Sequence, residues 1–311
     1  MATSAARGTP RVEWPTLALI VASYLAWGAV TAGAGWLGPW IAIPLVALIL
    51  ALHSSLQHEV LHGHPTSDQR LNAALVFPAV GLFIPYERFR ATHLAHHHDP
   101  LLTDPYDDPE SNYLDPAVWS RLSRPVRAVL AANNTLLGRM LIGPVLGTAA
   151  FWLDDIRSIR AGDRGIARAY ALHGLGLVPV LAWLAAVGTM PAWAYLVAAW
   201  LALGILRIRT FLEHQAHERA AARSVIIEDR GPLAFLFLNN NLHAVHHAHP
   251  RLPWYRLPAE YARRRDAFLQ RNGGYRYRSY AEVFALHLFR RKDPVAHPIW
   301  TAPVDRATPG P

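Results

Sequence analysis

Seventeen histidines and no cysteine in 311 residues narrow the chemistry open to this chain. Without a thiol there is no disulfide, no iron–sulfur ligation and no cysteine nucleophile, whereas imidazole is a neutral ligand suited to first-row transition metals. The histidines are clustered. Gln57-His58-Glu59-Val60-Leu61-His62 places two imidazoles at i and i+4, His93-Leu94-Ala95-His96-His97 places three at i, i+3 and i+4, and His243-Ala244-Val245-His246-His247 repeats that spacing. Residues three and four apart share a helix face, so these eight rings project from three faces. With 17 histidines in 311 positions, chance supplies roughly 0.05 copies of the three-histidine pattern per chain, and this chain has two. The lone histidines His53, His64, His98, His173, His249, His287 and His297 are read as solvated or internally satisfied rings.

The number of rings selects the metal chemistry. A tetrahedral zinc site uses three or four protein ligands, and eight imidazoles exceed one such shell, which implies two metals. His58-Glu59 with His62 also satisfies the H-E-x-x-H pattern of zinc proteases, in which the glutamate is the general base. A membrane zinc hydrolase is therefore the rival class, although it leaves the two later clusters without a role. A non-enzymatic metal carrier is a third class. Against it, the clusters fall at the ends of apolar runs and in polar segments, outside the apolar interiors where transport sites lie.

Apolar helices must position these clusters. The chain is 52% hydrophobic and 17% charged with 11 Trp, a composition that leans toward the bilayer. Its net charge of +8 is compatible with nucleic acid or an anionic membrane surface, and the apolar runs favour the membrane. Uncharged or nearly uncharged stretches predict membrane spans at about 15–36, 39–56, 169–187 and 192–206, each near the length a spanning helix needs. Residues 71–85 and 140–153 are apolar but short and read as interfacial or ambiguous. The two turns at 33–38 and 188–191 lack Lys and Arg, whereas the N-terminal, middle and C-terminal segments are Arg-rich. The positive-inside rule then predicts both termini and both large polar segments to be cytoplasmic. The expected fold is an all-α integral membrane protein with four transmembrane helices in two hairpins and a cytoplasmic helical cap carrying the histidines. Residues 1–14 form a cytoplasmic N-terminal segment, 15–300 a single domain and 301–311 a disordered tail.

At these residues the chain resembles the membrane fatty-acid desaturase and hydroxylase superfamily, recognised by three histidine boxes, HxxxH, HxxHH and HxxHH, on cytoplasmic segments around four membrane helices. The resemblance covers about residues 15–260, and the boxes are His58/His62, His93/His96/His97 and His243/His246/His247. That family commonly supplies a further ligand just after the fourth span, where His214 stands, with His217 one turn beyond as the alternative. Asn239 resembles a family asparagine that approaches the metal through water; it could equally cap the helix carrying box three, as could Asn240 or Asn241. Glu59 and Glu213, each beside a ligand, are candidates for orienting an imidazole.

What the resemblance implies is an O2-dependent diiron oxidase acting on unactivated C–H bonds of a lipid-like substrate, with two iron ions and O2 as cofactors and no catalytic side chain beyond the metal ligands. Desaturase-like chemistry is one form, hydroxylase, monooxygenase or ketolase chemistry the other. The Asp-Pro-rich run 99–110 reads by itself as a solvated loop, and its composition looks like that of the bacterial carotenoid ketolase and alkane hydroxylase branches. No flavin or dinucleotide glycine motif and no fused cytochrome domain is recognisable, so electrons are expected from a separate donor such as a ferredoxin or rubredoxin with its reductase. The run Arg263, Arg264, Arg265 offers charge for docking an acidic carrier or for membrane phosphates. The expected location is a bacterial inner membrane, with the active site on the cytoplasmic side and no nucleic-acid partner.

Overall fold

The computed structural model describes residues 12–98 and 101–301; most of the expected N-terminal segment and nearly all of the expected tail lie outside the described residues. The chain is mostly helical, with four helices long and apolar enough to cross a membrane. The first is α1 (Trp14–Ala32), continued by a short helix Ala34–Leu37, and the second is α2 (Pro39–Leu61). Gly38 joins them at φ +74°, a left-handed conformation that glycine adopts without a Cβ penalty, and Pro39 then opens α2 at a position where its missing N–H costs nothing. The helix α3 (Tyr86–His98) carries the second box, and α4 (Gly143–Arg160) packs beside it. The third and fourth candidate spans are α5 (Arg164–Ala186) and α6 (Ala192–Thr210).

The apolar runs and the helices differ at their ends. α2 continues past residue 56 to Leu61, and α6 past 206 to Thr210. Helix propagation adds a hydrogen bond per residue whatever the side chain, so the polar turns at the ends stay helical and carry His58, Glu59 and Arg209 in fixed register. The two short apolar segments form no further spans. Residues Gln69–Leu75 form a short helix, capped by the Asp68 carboxylate, which accepts from the Arg70 and Leu71 amides. Residues 140–153 are divided between a short helix, Leu136–Leu141, and α4.

The main core lies where α2 meets α1 and α6. Ala42, Ala47 and Ala51 face a matching series, Ala194, Ala198, Ala199 and Ala202, and such small side chains let helix backbones approach closely. Within this apolar core the polar groups are paired: Trp27 Nε1 donates to Tyr195 Oη at 2.8 Å, and Tyr195 Oη donates to the Val80 carbonyl at 2.7 Å. Leaving either unpaired away from water would cost of order 1–3 kcal/mol. At one end of α1 and α2, Trp36 and Trp40 are 89% and 90% exposed, the placement favoured by indole rings at a membrane–water boundary.

Beyond α6 the chain builds smaller cores around Phe237, Leu212 and Tyr280 and around Val245, Tyr261 and Phe268. They fix the helix that carries box three, α7 (His243–Ala248). Val245 is fully buried, the Ala244 amide donates to the Val225 carbonyl at 3.0 Å, and Asn241 Nδ2 donates to the Ile227 carbonyl at 2.6 Å. Ile226–Ile227 in turn pairs in parallel with Arg276–Tyr277.

Candidate metal centre

The last turn of α2 presents His58, with His62 as its C-cap. α3 presents His93, His96 and His97, the segment after α6 presents His214, and α7 presents His243, His246 and His247. These nine rings, from four separate stretches of chain, converge into two groups. His58, His62, His93, His97 and His246 form one, His96, His214, His243 and His247 the other, and within each group the ligand-capable atoms lie within 4.8 Å of one another. Each three-histidine box divides between the groups. His93 and His97 enter the first while His96 enters the second; His243 and His247 enter the second while His246 enters the first. Helix geometry accounts for this, because a step of four residues turns a side chain by about +40° and a step of three by about −60°. The groups adjoin where the His97 and His247 rings stack, 4.2 Å between centroids.

Hydrogen bonds set the ring nitrogens. His93 Nδ1 lies 2.9 Å from Glu110 Oε1, His96 Nδ1 2.7 Å from Asp108 Oδ1, and His243 Nδ1 3.2 Å from Asn240 Oδ1. These oxygens accept, so each ring donates from Nδ1, and in a neutral ring this leaves Nε2 as a bare lone pair. The Nε2 atoms then face one another: His62 to His93 at 3.2 Å, His93 to His97 at 3.0 Å, His97 to His246 at 3.1 Å, and His214 to His96 and His243 at 2.9 and 3.0 Å. Nε2 of His58 and of His247, both buried, have no hydrogen-bond partner among the described residues. Buried polar atoms are normally paired. In the neutral rings these lone pairs converge without enough protons to share, which is what a cation satisfies, and the donor set therefore fits bound metal.

Protonation follows the same surroundings. Burial, with the neighbouring His93 and His96 charges, pushes His97 down to about 3. Burial and adjacent imidazoles hold His62, His214, His243, His246 and His247 well below the usual histidine range. His96 goes the other way: burial disfavours its charge, but the Asp108 hydrogen bond and the Glu110 charge outweigh that and push it up to about 9. Burial would raise Glu110, yet the charge and hydrogen bond of His93 and the charge of His96 hold its carboxyl well below the ordinary range.

The remaining predicted residues take other places. His217 belongs to neither group, and its Nδ1 accepts from the Arg219 amide at 3.0 Å. Glu213 reaches His243 through Asn240, whose Nδ2 lies 3.3 Å from Glu213 Oε1. Glu59 accepts from the Trp254 amide at 2.9 Å and lies 3.8 Å from His64 Nε2, in a separate buried group with Glu13. Asn239, at φ +56°, donates to the Trp254 carbonyl at 3.1 Å, and it is Asn240 that touches a box imidazole. The solvated-loop reading of 99–110 is corrected at Asp108, which is 4% exposed and accepts from the amides of Thr103 and Glu110 as well as from His96. Asp108, Glu110 and Asn240 were not singled out as ring-orienting groups by spacing. The available signal was a carboxylate pair 12 and 14 residues beyond His96, in a run whose Asp-Pro turns can fold back on the helix before it.

Two comparisons bear on this centre. The family described as fatty acid desaturase matches residues 34–279, a stretch that contains all nine histidines. No curated protein matches the chain.

Proposed function

The chain belongs to the fatty acid desaturase family, and from that premise we propose that it is an O2-dependent diiron oxidase that attacks an unactivated C–H bond of a lipid-like substrate in the membrane. One iron would be held by His58, His62, His93, His97 and His246 and the other by His96, His214, His243 and His247. A bound iron pair supplies the redox steps that O2 activation requires. The observation that carries this reading is the division of nine buried or half-buried imidazoles into two groups, since one zinc would need at most four of them. The hydrolase alternative is disfavoured by Glu59, whose carboxylate is engaged with the Trp254 amide and His64 and is not held ready as a general base beside its flanking histidines.

The protein's own residues do the preparatory work. Asp108, Glu110 and Asn240 fix three rings with Nε2 facing inward, and oriented ligands are held more firmly than free ones. Burial of His96 and His243 to 1% exposure keeps water from the centre, which protects a reactive oxidant from side reactions. Between α3, α5 and the segment 70–79, a pocket of about 370 Å³ is lined by Gln57, Phe77, Tyr86 and Leu172 among others. Gln57 precedes the ligand His58, and the slot beside the first box, mostly apolar with Arg70 and Glu87 in its lining, suits an acyl-like chain with a polar end. The acidic continuation of box two favours hydroxylase or ketolase chemistry over desaturation. The Arg-rich polar segments favour a cytoplasmic active site, and the short turns between the paired spans favour two helical hairpins, in what we take to be a bacterial inner membrane. The Arg-rich segments also favour an acidic external electron donor, a ferredoxin or rubredoxin with its reductase.

Metal analysis of detergent-purified protein tests the core of the reading: about two irons per chain are expected. Mass spectrometry of lipids after expression with a ferredoxin system should show either loss of two hydrogens or gain of oxygen, dependent on O2. One zinc per chain with anaerobic turnover would establish the hydrolase instead.

A further inference from the structure

The family match ends at residue 279, yet the chain returns to the centre after it. Lys292 Nζ donates to the backbone carbonyl of His214 and pairs with Asp293 at 3.1 Å. The Asp293 carboxylate accepts from Tyr113 Oη, which itself accepts from the Ala216 amide at 3.0 Å, two residues beyond His214. The backbone then runs against the acidic segment: the Leu114 amide donates to the Val295 carbonyl at 2.9 Å and the His297 amide to the Leu114 carbonyl at 2.8 Å. Finally His297 Nε2 lies 3.2 Å from Thr103 Oγ1. Thr103 is 2% exposed and sits at φ +76°, a conformation that a β-branched residue holds only when its surroundings impose it. Its amide donates to Asp108 Oδ2 at 2.8 Å, and Asp108 Oδ1 faces His96 Nδ1 at 2.7 Å.

These contacts are unevenly distributed. They reach His214 directly and His96 through Thr103 and Asp108, both in the four-histidine group. Among the described residues, only His93 of the five-histidine group is approached, at one further remove, through Glu110, whose amide donates to Asp108 Oδ1 at 2.9 Å. His58 and His62 are set by α2, and His246 by α7. We infer that residues 291–297 form a positioning strap for the four-histidine metal site, so that the two metals are held with unequal dependence on the C-terminal segment. Lys292 and His297 are positioning residues: neither belongs to a metal group, and each acts through a ligand's backbone or through the carboxylate that orients a ligand.

This inference rests on the two-site reading above, and its test uses metal release instead of turnover. The full-length protein in detergent is loaded with Co2+, whose visible spectrum reports ligand geometry, and extraction by EDTA is followed with time. The wild-type protein is expected to hold two equivalents. In Lys292→Met and His297→Ala, one equivalent should leave about 10–100-fold faster, the usual scale for losing a partner that orients a ligand, and the other within about twofold of wild type. The fast phase should carry the altered spectrum, and His297→Gln, which can still bond Thr103, should restore much of the slow release. Equal acceleration of both equivalents, or none, overturns the strap, because general loosening is not selective. A wild-type protein that holds one equivalent overturns the inference together with the two-site reading.

Discussion

The surroundings of His96 favour a second ring proton, and with it a positive charge, at neutral pH in the metal-free protein. Burial opposes it, but the Asp108 hydrogen bond and the Glu110 charge push the ring up to about 9. A ligating imidazole must be neutral, with Nε2 bare while Nδ1 keeps its proton, so metal binding in the four-histidine group expels the Nε2 proton below pH 9. Affinity there should rise by up to about tenfold per pH unit between pH 7 and 9 and level off above; His214, His243 and His247, held well below the usual range, add no slope in that window. Competition titrations against a chromophoric chelator at pH 7, 8 and 9 measure it, and a flat profile contradicts it. Glu110→Gln keeps an acceptor for His93 but removes the charge, and is expected to weaken binding in the five-histidine group by roughly tenfold, with Glu110→Leu nearer 100-fold; equilibrium dialysis distinguishes the two. The ligand rings were legible in the sequence because i, i+3, i+4 spacing is local. Their carboxylate partners were not, because Asp108 and Glu110 reach them through a loop whose course depends on Thr103 in a left-handed conformation and on a strap from residues 291–297.

Among the elements, α3 and α7 share the most exacting task, since the three histidines of each are divided between the two groups. One alanine inserted between Ala95 and His96 would turn His96 and His97 by about 100° relative to His93. Both groups should then lose metal, seen as a fall from two equivalents toward none, whereas the same insertion between Arg127 and Ala128, in the short helix Arg124–Asn133, should leave both. α3 is fixed in turn by α4: Arg88 Nε meets Asp155 Oδ1 and Oδ2 at 2.9 and 3.0 Å, and Nη2 meets Oδ1 at 2.7 Å, with Asp155 1% exposed. Asp155→Ala strands a largely buried guanidinium, and such a loss costs about 3–5 kcal/mol. A clear drop in the thermal midpoint should follow, and a shift of under a degree would refute the role. The four long helices were visible as uncharged runs, although charge marks the edge of apolar surface while hydrogen bonding marks the edge of the helix. α4 was missed because its 18 residues join an apolar half to a charged one, and no bilayer criterion recognises that mixture.

For the molecule as a whole, the two histidine groups join stretches that are far apart in sequence, from His58 to His247, so metal bound there would link ligation to folding. Free metal at 100 times its dissociation constant stabilises the native state by about 2.7 kcal/mol per site. Chelator-stripped protein should therefore melt well below the loaded form and recover when metal is returned; coincident melting curves would mean that the rings are held without it. The convergence itself could only be inferred from a family resemblance, since nothing local in the chain states that box one meets box three. One dimension of the fold also bears on what the enzyme can reach. On α2, Trp40 near one end and His58 near the other are 18 residues apart, about 27 Å at 1.5 Å each, so the first histidine group stands close to a hydrocarbon thickness from the tryptophan rim. On the function proposed above, a tail lying at the bilayer midplane would be on the order of 12 Å short of the centre. Under that proposal the substrate would have to be drawn lengthwise out of its leaflet, a movement open to a slender single-chain molecule and resisted by a two-tailed phospholipid rooted among its neighbours.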